Sequence, residues 1–165
     1  MIIIGIDPGT ARMGYGVIEK TKGKRIKLLE SDTLVTTPKL ELQDRLNFLY
    51  NRLSEVVVRH SPDVMVIEKL FFNTNAKTAI AVGQARGINM LVAAKKRLKV
   101  YEYTALQAKK CLTGYGRADK KEMQKAVMER LGLEKIVKSD DANDGVAMAL
   151  CFIEKDYDVL SKDIK

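Results

Sequence analysis

Asp7 and Glu68 each close a short apolar run, Ile2-Ile3-Ile4-Gly5-Ile6 before the first and Val64-Met65-Val66-Ile67 before the second. A carboxylate at the end of a buried strand loses solvation unless something compensates it. Each has a plain structural account on its own, Asp7-Pro8-Gly9 as a turn and Glu68 as a solvated strand end. Asp141 and Asp144 add two acids spaced i, i+3, which on a helix sets their β-carbons about 5–6 Å apart on one face. A helix start favours acids, and Asp140 is assigned to that capping role. Asp144 lies beyond the cap, beside the packing residues of an otherwise apolar helix. Convergence of Asp7, Glu68, Asp141 and Asp144 would be strongly repulsive without a cation, and hard oxygen donors in that number suit Mg²⁺ or Mn²⁺. Two such ions about 3.5–4 Å apart can bridge one phosphate, one activating water and the other stabilising the leaving 3′ oxygen, which is phosphodiester hydrolysis.

Other chemistries lack their parts. The single histidine, His60, precedes Ser61-Pro62 at a helix end and reads as a surface residue; without it no Ser-His-Asp or Cys-His nucleophile can be assembled. Cys111 and Cys151 have neither zinc-ligand nor CxxC spacing and read as buried small hydrophobes. Gly9, Gly14 and Gly16 are followed by a strand pattern and no Lys-Ser or Lys-Thr, so they suit a hairpin better than a phosphate loop. The 29 Lys and Arg against 21 Asp and Glu leave a formal net charge of +8, which points to a polyanionic partner. Lys95, Lys96, Arg97, Lys109, Lys110, Arg117, Lys120, Lys121 and Lys125 make the stretch 95–125 the basic one and favour nucleic acid over mere solubility. Membrane binding fits less well, because that stretch is broken by Gly114 and Gly116 and the chain has no Trp. An aromatic fraction of 6% argues against gripping single strands mainly by base stacking.

The elements follow from periodicity. Residues 2–7 are apolar on both faces and predict a strand in the middle of a sheet. Strand patterns resume at 14–18 and, after the Lys22-Gly23-Lys24 turn, at 25–34, giving an antiparallel meander. Thr37-Pro38 reads as an N-cap and first helical residue for a helix carrying Leu42, Leu46, Leu49, Leu53, Val56 and Val57 and stopping at Ser61-Pro62. Residues 64–67 then return as a strand parallel to the first. A helix over 74–97 has a small-residue surface, Ala79, Ala81, Gly83, Ala85 and Gly87, and a fifth strand covers 99–103. Thr104 with Gln107, and Asp119 with Glu122, have the form of capping boxes. A last helix starts near Ser139 or Asp140, and the polar end from about 155 is expected to fray. The sum is one α/β domain over 1–165, a five-stranded mixed sheet with helices on both faces, in which parallel first and fourth strands deliver Asp7 and Glu68 to one crevice. No apolar run approaches the roughly 18 residues of a membrane span, nor does the start read as a signal peptide, so a soluble, cytoplasmic protein is expected.

In order and spacing, Gly5-Ile6-Asp7-Pro8-Gly9-Thr10 with Gly14-Tyr15-Gly16-Val17-Ile18, then Ile67-Glu68-Lys69-Leu70-Phe71, Gly83-Gln84-Ala85-Arg86-Gly87, Glu102-Tyr103 and Asp141-Ala142-Asn143-Asp144 resemble the RuvC-type Holliday junction resolvases of the ribonuclease H-like superfamily. The resemblance spans residues 2–154. The first block is shared across the superfamily, actin-like kinases included, whereas the later ones are typical of resolvases. It implies a homodimer that binds four-way DNA junctions and makes paired symmetric nicks in recombination and repair, alongside the RuvA and RuvB branch-migration proteins. It also implies a ligand set of Asp7, Glu68, Asp141 and Asp144 for two Mg²⁺ ions, with Mn²⁺ able to substitute. Lys109 and Lys120 match the family's basic residues near the scissile phosphate or on DNA, and Phe71 matches the aromatic that stacks on junction bases. Arg86 and Lys121 join them as candidate DNA contacts. Lys69 departs from the pattern, an uncharged amide being commoner there. Two other readings keep part of this picture: a monomeric ribonuclease H-like enzyme acting on structured RNA, and a non-catalytic nucleic-acid-binding module. A kinase is the weakest, since that architecture needs two such domains.

Overall fold

The computed structural model describes residues 1–69 and 76–163. Its sheet is built from β1 (Ile2–Asp7), β2 (Arg12–Glu19), β3 (Lys27–Val35), β4 (Val64–Glu68) and β5 (Lys99–Tyr103), in the order β3-β2-β1-β4-β5. The meander β1-β2-β3 is antiparallel and β1-β4-β5 is parallel, as the pattern of turns and crossovers predicts. β1 is central, and Ile3, Ile4 and Ile6 have no exposed surface.

Side-chain alternation divides the core in two. Ile4, Ile6, Met65 and Ile67 face α1 (Leu42–His60) and α2 (Ala76–Lys96), where they meet Leu49, Leu53, Val56, Val57 and Val92. Ile3, Val64 and Val66 face the other way, onto α3 (Ala105–Thr113), α4 (Lys120–Leu131), α5 (Asp140–Lys155) and α6 (Tyr157–Asp163). With a period of two, Asp7 and Glu68 continue the second face, the one that α5 covers.

Both expected capping boxes form, Thr104 with Gln107 and Asp119 with Glu122. Three local expectations are corrected. Thr37-Pro38 does not open α1, which begins at Leu42. Thr37 instead closes a turn, its hydroxyl accepting from the Lys39 amide and its carbonyl from the Leu40 amide, so its capping capacity is spent before the helix starts. Asp140 does not cap α5, because the Ser139 side chain occupies that position and accepts from the Ala142 amide. The end beyond 155 does not simply fray, since α6 adds a helix to the predicted count by packing Tyr157 and Leu160, three apart, into the core.

α5 lies unusually close to the sheet. A β-carbon on Gly14 would come within 1.8 Å of the Asp141 carbonyl oxygen, and one on Gly16 within 2.8 Å of the Val146 α-carbon. The strand glycines that suit a hairpin therefore also let a helix backbone rest against β2, and it is this approach that carries Asp141 and Asp144 toward β1.

Candidate active site

The register Ile6↔Ile67 sets the C-terminal ends of β1 and β4 side by side, so Asp7 and Glu68 leave the sheet level with each other. Their carboxyls are close enough for each to act on the other's ionisation. α5 runs over this end from its Ser139 cap and brings Asp141 and Asp144 down one face, one turn apart.

The electrostatics are those of charges placed against their preference. Burial pushes Asp7 up to about 8, helped by the negative charges of Glu68, Asp144 and Asp141. Glu68 is also raised, by burial and by Asp144, while the contact with Asp7 and the nearby Lys109 ammonium act the other way. Burial and mutual repulsion thus disfavour having both carboxyls charged at once. Asp144 is raised by burial, Asp140 and Asp141, with Lys120 and Lys109 opposing. Negative charge on Glu68, Asp144 and Asp141 thus opposes ionisation of Asp7.

The donor set fits divalent metal. Asp7, Glu68, Asp141 and Asp144 supply only hard oxygen donors, and the raised Asp7, Glu68 and Asp144 mark negative charge that a cation would relieve. Yet among the described residues no three acidic, histidine or cysteine side chains are drawn together closely enough to hold an ion as they stand. Asp141 is turned aside: its Oδ2 accepts from Arg12 Nε at 2.7 Å and lies 3.4 Å from Ser139 Oγ, itself 2.6 Å from Thr33 Oγ1.

The basic candidates divide. Lys109 on α3 is half-buried and close enough to lower both Glu68 and Asp144. Lys120 opens α4 and bonds Asp140 Oδ2 at 3.1 Å; Gln124 bonds the other oxygen at 2.8 Å. Asp140, assigned to a cap, instead holds Lys120 at the edge of the acids. Lys121 is exposed. Arg86 on α2 is engaged within the chain, with Nε and Nη2 at 2.9 and 2.8 Å from Glu102 Oε1 on β5. Phe71 lies outside the described residues.

The basic stretch 95–125 is also split by topology. β5 runs parallel to β4 with Glu68 opposite Tyr103, so Lys95, Lys96 and Arg97, which precede β5, lie at the far end of the sheet from the acids. Lys95 there sits over the Tyr50 ring, 5.5 Å from its centre. His60 is not a free surface residue either: its side chain is largely covered and Nε2 lies 2.6 Å from Glu30 Oε2. Cys151 is buried as expected, with burial pushing its thiol up, and Cys111 is half-buried.

Beside the acids, a cavity of about 730 Å³ is lined by Arg12, Thr33, Lys120, Lys138, Asp140 and Asp141 among others. Neither Asp7 nor Glu68 lines it, so it adjoins the acid site through Asp141. Arg12 and Asp140 are the residues that sequence reasoning missed. Nothing in their spacing signals a contact across 129 and 20 residues.

Residues 3–152 match the family model of the crossover junction endodeoxyribonuclease RuvC. A RuvC protein from Caldicellulosiruptor saccharolyticus is 44% identical over 99% of this chain and 98% of its own. Among solved structures, Thermus thermophilus RuvC superposes with a TM-score of 0.86 at 30% identity, covering 98% of this chain and 97% of that one. The same protein in complex with a Holliday junction substrate gives 0.87 at 31% identity over 93% of each chain.

Proposed function

The chain belongs to the RuvC family of crossover junction endodeoxyribonucleases, and we propose that it resolves four-way DNA junctions in recombination and repair by hydrolysing phosphodiesters at Asp7, Glu68, Asp141 and Asp144. The observation that supports the site is the raised, mutually repelling Asp7, Glu68 and Asp144 at the joined ends of β1 and β4 beneath α5. These four carboxylates would hold two divalent cations, Mg²⁺ with Mn²⁺ able to substitute. When bound, such ions supply an activated water and charge that stabilises the leaving 3′ oxygen.

The chain's own residues do the remaining work. Asp7 and Glu68 would hold the cation as carboxylates, any proton retained between them passing to water. Lys109, within reach of the fields of Glu68 and Asp144, balances the charge that builds on the phosphate. Lys120, steered by Asp140 and Gln124, meets the backbone at the entrance, with Lys121 next to it. Phe71 stacks on a junction base. Arg86 serves DNA indirectly, fixing α2 to β5 through Glu102.

One site per chain cannot nick two strands at once, so the working unit is a homodimer of single 1–165 nuclease domains. α2 is the surface we assign to it: Ile80 and Leu91 are 67% and 46% exposed, and a β-carbon at Gly83 or Gly87 would meet nothing within 4 Å among the described residues. The family context adds RuvA and RuvB as partners and the cytoplasm as location. No helix of the described residues is long and apolar enough to cross a membrane.

Cleavage of a synthetic four-way junction, mapped strand by strand, tests this reading. Symmetric Mg²⁺-dependent nicks, lost in Asp7→Asn and Asp144→Asn while junction binding persists, are the expected result. Full cleavage by both variants would overturn the metal assignment, and a monomer that prefers structured RNA would overturn the substrate.

A further inference from the structure

Arg12 opens β2, five residues after Asp7, and reaches across to the start of α5. Its Nε donates to Asp141 Oδ2 at 2.7 Å, and the same oxygen is 3.4 Å from Ser139 Oγ. Both partners line the cavity beside the acids, which Asp7 and Glu68 do not touch, so the contact draws Asp141 toward the cavity and away from its fellow ligands. A carboxylate oxygen aimed at a guanidinium is not aimed at a cation. The pair is half open to water, with side-chain exposures of 53% for Arg12 and 25% for Asp141, so it can be broken without unfolding anything. The hydroxyl pair Thr33–Ser139, 2.6 Å apart, tethers β3 to the α5 cap beside this contact.

From this geometry we infer that Arg12 is a built-in competitor for the metal at Asp141, occupying the ligand in the free enzyme and surrendering it when a divalent ion binds. The inference rests on the metal-site reading above and adds to it a residue that tunes affinity. Binding then costs the rupture of the Arg12–Asp141 pair, and apparent affinity falls by the fraction of molecules whose Asp141 is free. For a pair this exposed the effect is about fivefold, the equivalent of ~1 kcal/mol.

The test is a Mn²⁺ titration of the DNA-free protein, followed by the electron paramagnetic resonance signal of free Mn²⁺. Arg12→Ala is expected to lower the midpoint about fivefold. In an Asp141→Asn background the same substitution should change nothing, because the contested ligand is gone. Lys138→Ala removes a positive charge from the same cavity without touching Asp141, and its effect should be much smaller. An unchanged or weakened midpoint in Arg12→Ala overturns the inference. So does an equal shift from Lys138→Ala, or a shift that persists with Asn at 141, since either would mean a general field effect. If Asp7→Asn leaves the titration of the otherwise intact protein unaltered, the metal site itself is misassigned and the competitor falls with it.

Discussion

Glu30 on β3 and Asp7 on β1 are carboxylates of the same sheet in opposite circumstances. Glu30 accepts from Tyr15 Oη at 2.5 Å and from Arg59 Nη1 at 2.7 Å, and has His60 Nε2 at 2.6 Å. Burial pushes Glu30 up, but hydrogen bonds from His60, Tyr15 and Arg59 outweigh it and hold the acid at about 2. Asp7 has other acids around it and stands at about 8. The Glu30 end joins β2, β3 and the last turn of α1 with a satisfied charge; the Asp7 end spends stability to keep charges unsatisfied. That is the trade expected where a site must bind cations.

The comparison can be broken most sharply at Asp7. Asp7→Asn is expected to cut metal-dependent junction cleavage about a thousandfold or more, ~4 kcal/mol of barrier, while raising the melting temperature of the metal-free protein at pH 8. A melting temperature that falls instead would show that Asp7 is part of the scaffold.

Next in size is the helix that delivers the other two acids. Gly14→Ala drives a methyl into the Asp141 carbonyl, backbone that has no slack, and overpacking of this kind costs about 3 kcal/mol. Thermal unfolding should register that loss, and cleavage should fall with it because Asp141 moves. Ordinary stability in Gly14→Ala would mean that α5 can ride further from β2.

At the satisfied end, Glu30→Gln should cost about 2 kcal/mol, the value of charge-assisted bonds lost at one acceptor, and leave cleavage intact. The two ends also differ in pH dependence. Asp7 has a folded value above its unfolded one, so its contribution is complete below about 4 and is lost as pH rises through about 8. For Glu30 the folded value is the lower, so its contribution is complete above about 4.5 and is lost as pH falls toward 2. Denaturant melts of the metal-free protein across pH 3–9 should therefore lose the alkaline decline in Asp7→Asn and the acid decline in Glu30→Gln. A profile unmoved by either variant would separate stability from these acids.

The smallest effect sharpens the contrast with a third case. Asn89 on α2 is fully buried, and both polar atoms of its side chain have no partner among the described residues. Asn89→Leu, similar in shape, should stabilise by about 1 kcal/mol. If it destabilises, Asn89 is satisfied by a bound water, and its polarity belongs with Glu30 and not with Asp7.

Much of this was legible in the chain. The strands β1, β4 and β5, both capping boxes and the i, i+3 pair Asp141 and Asp144 follow from local rules, because apolar alternation and capping chemistry act over a few residues. α1 was misplaced at its start because Thr37 had two uses for its hydroxyl and the turn took it. α6 went unseen because two buried side chains, Tyr157 and Leu160, outweigh a polar surrounding only once a core exists to receive them.

The sequence by itself determined which acids could act together: two ending adjacent apolar strands and two on one helical face. It also determined the sign of the surface they must share with a polyanion. Only the tertiary structure decided how those acids are balanced. Lys109, Asp140 and Arg12 reach their partners across chain separations that no local pattern encodes. The separation of Lys95–Arg97 from the acids depends on strand direction, which crossover connections set. Electrostatic balance is a sum over distances in space, and those distances exist only after the sheet has formed and α5 has settled on its glycines.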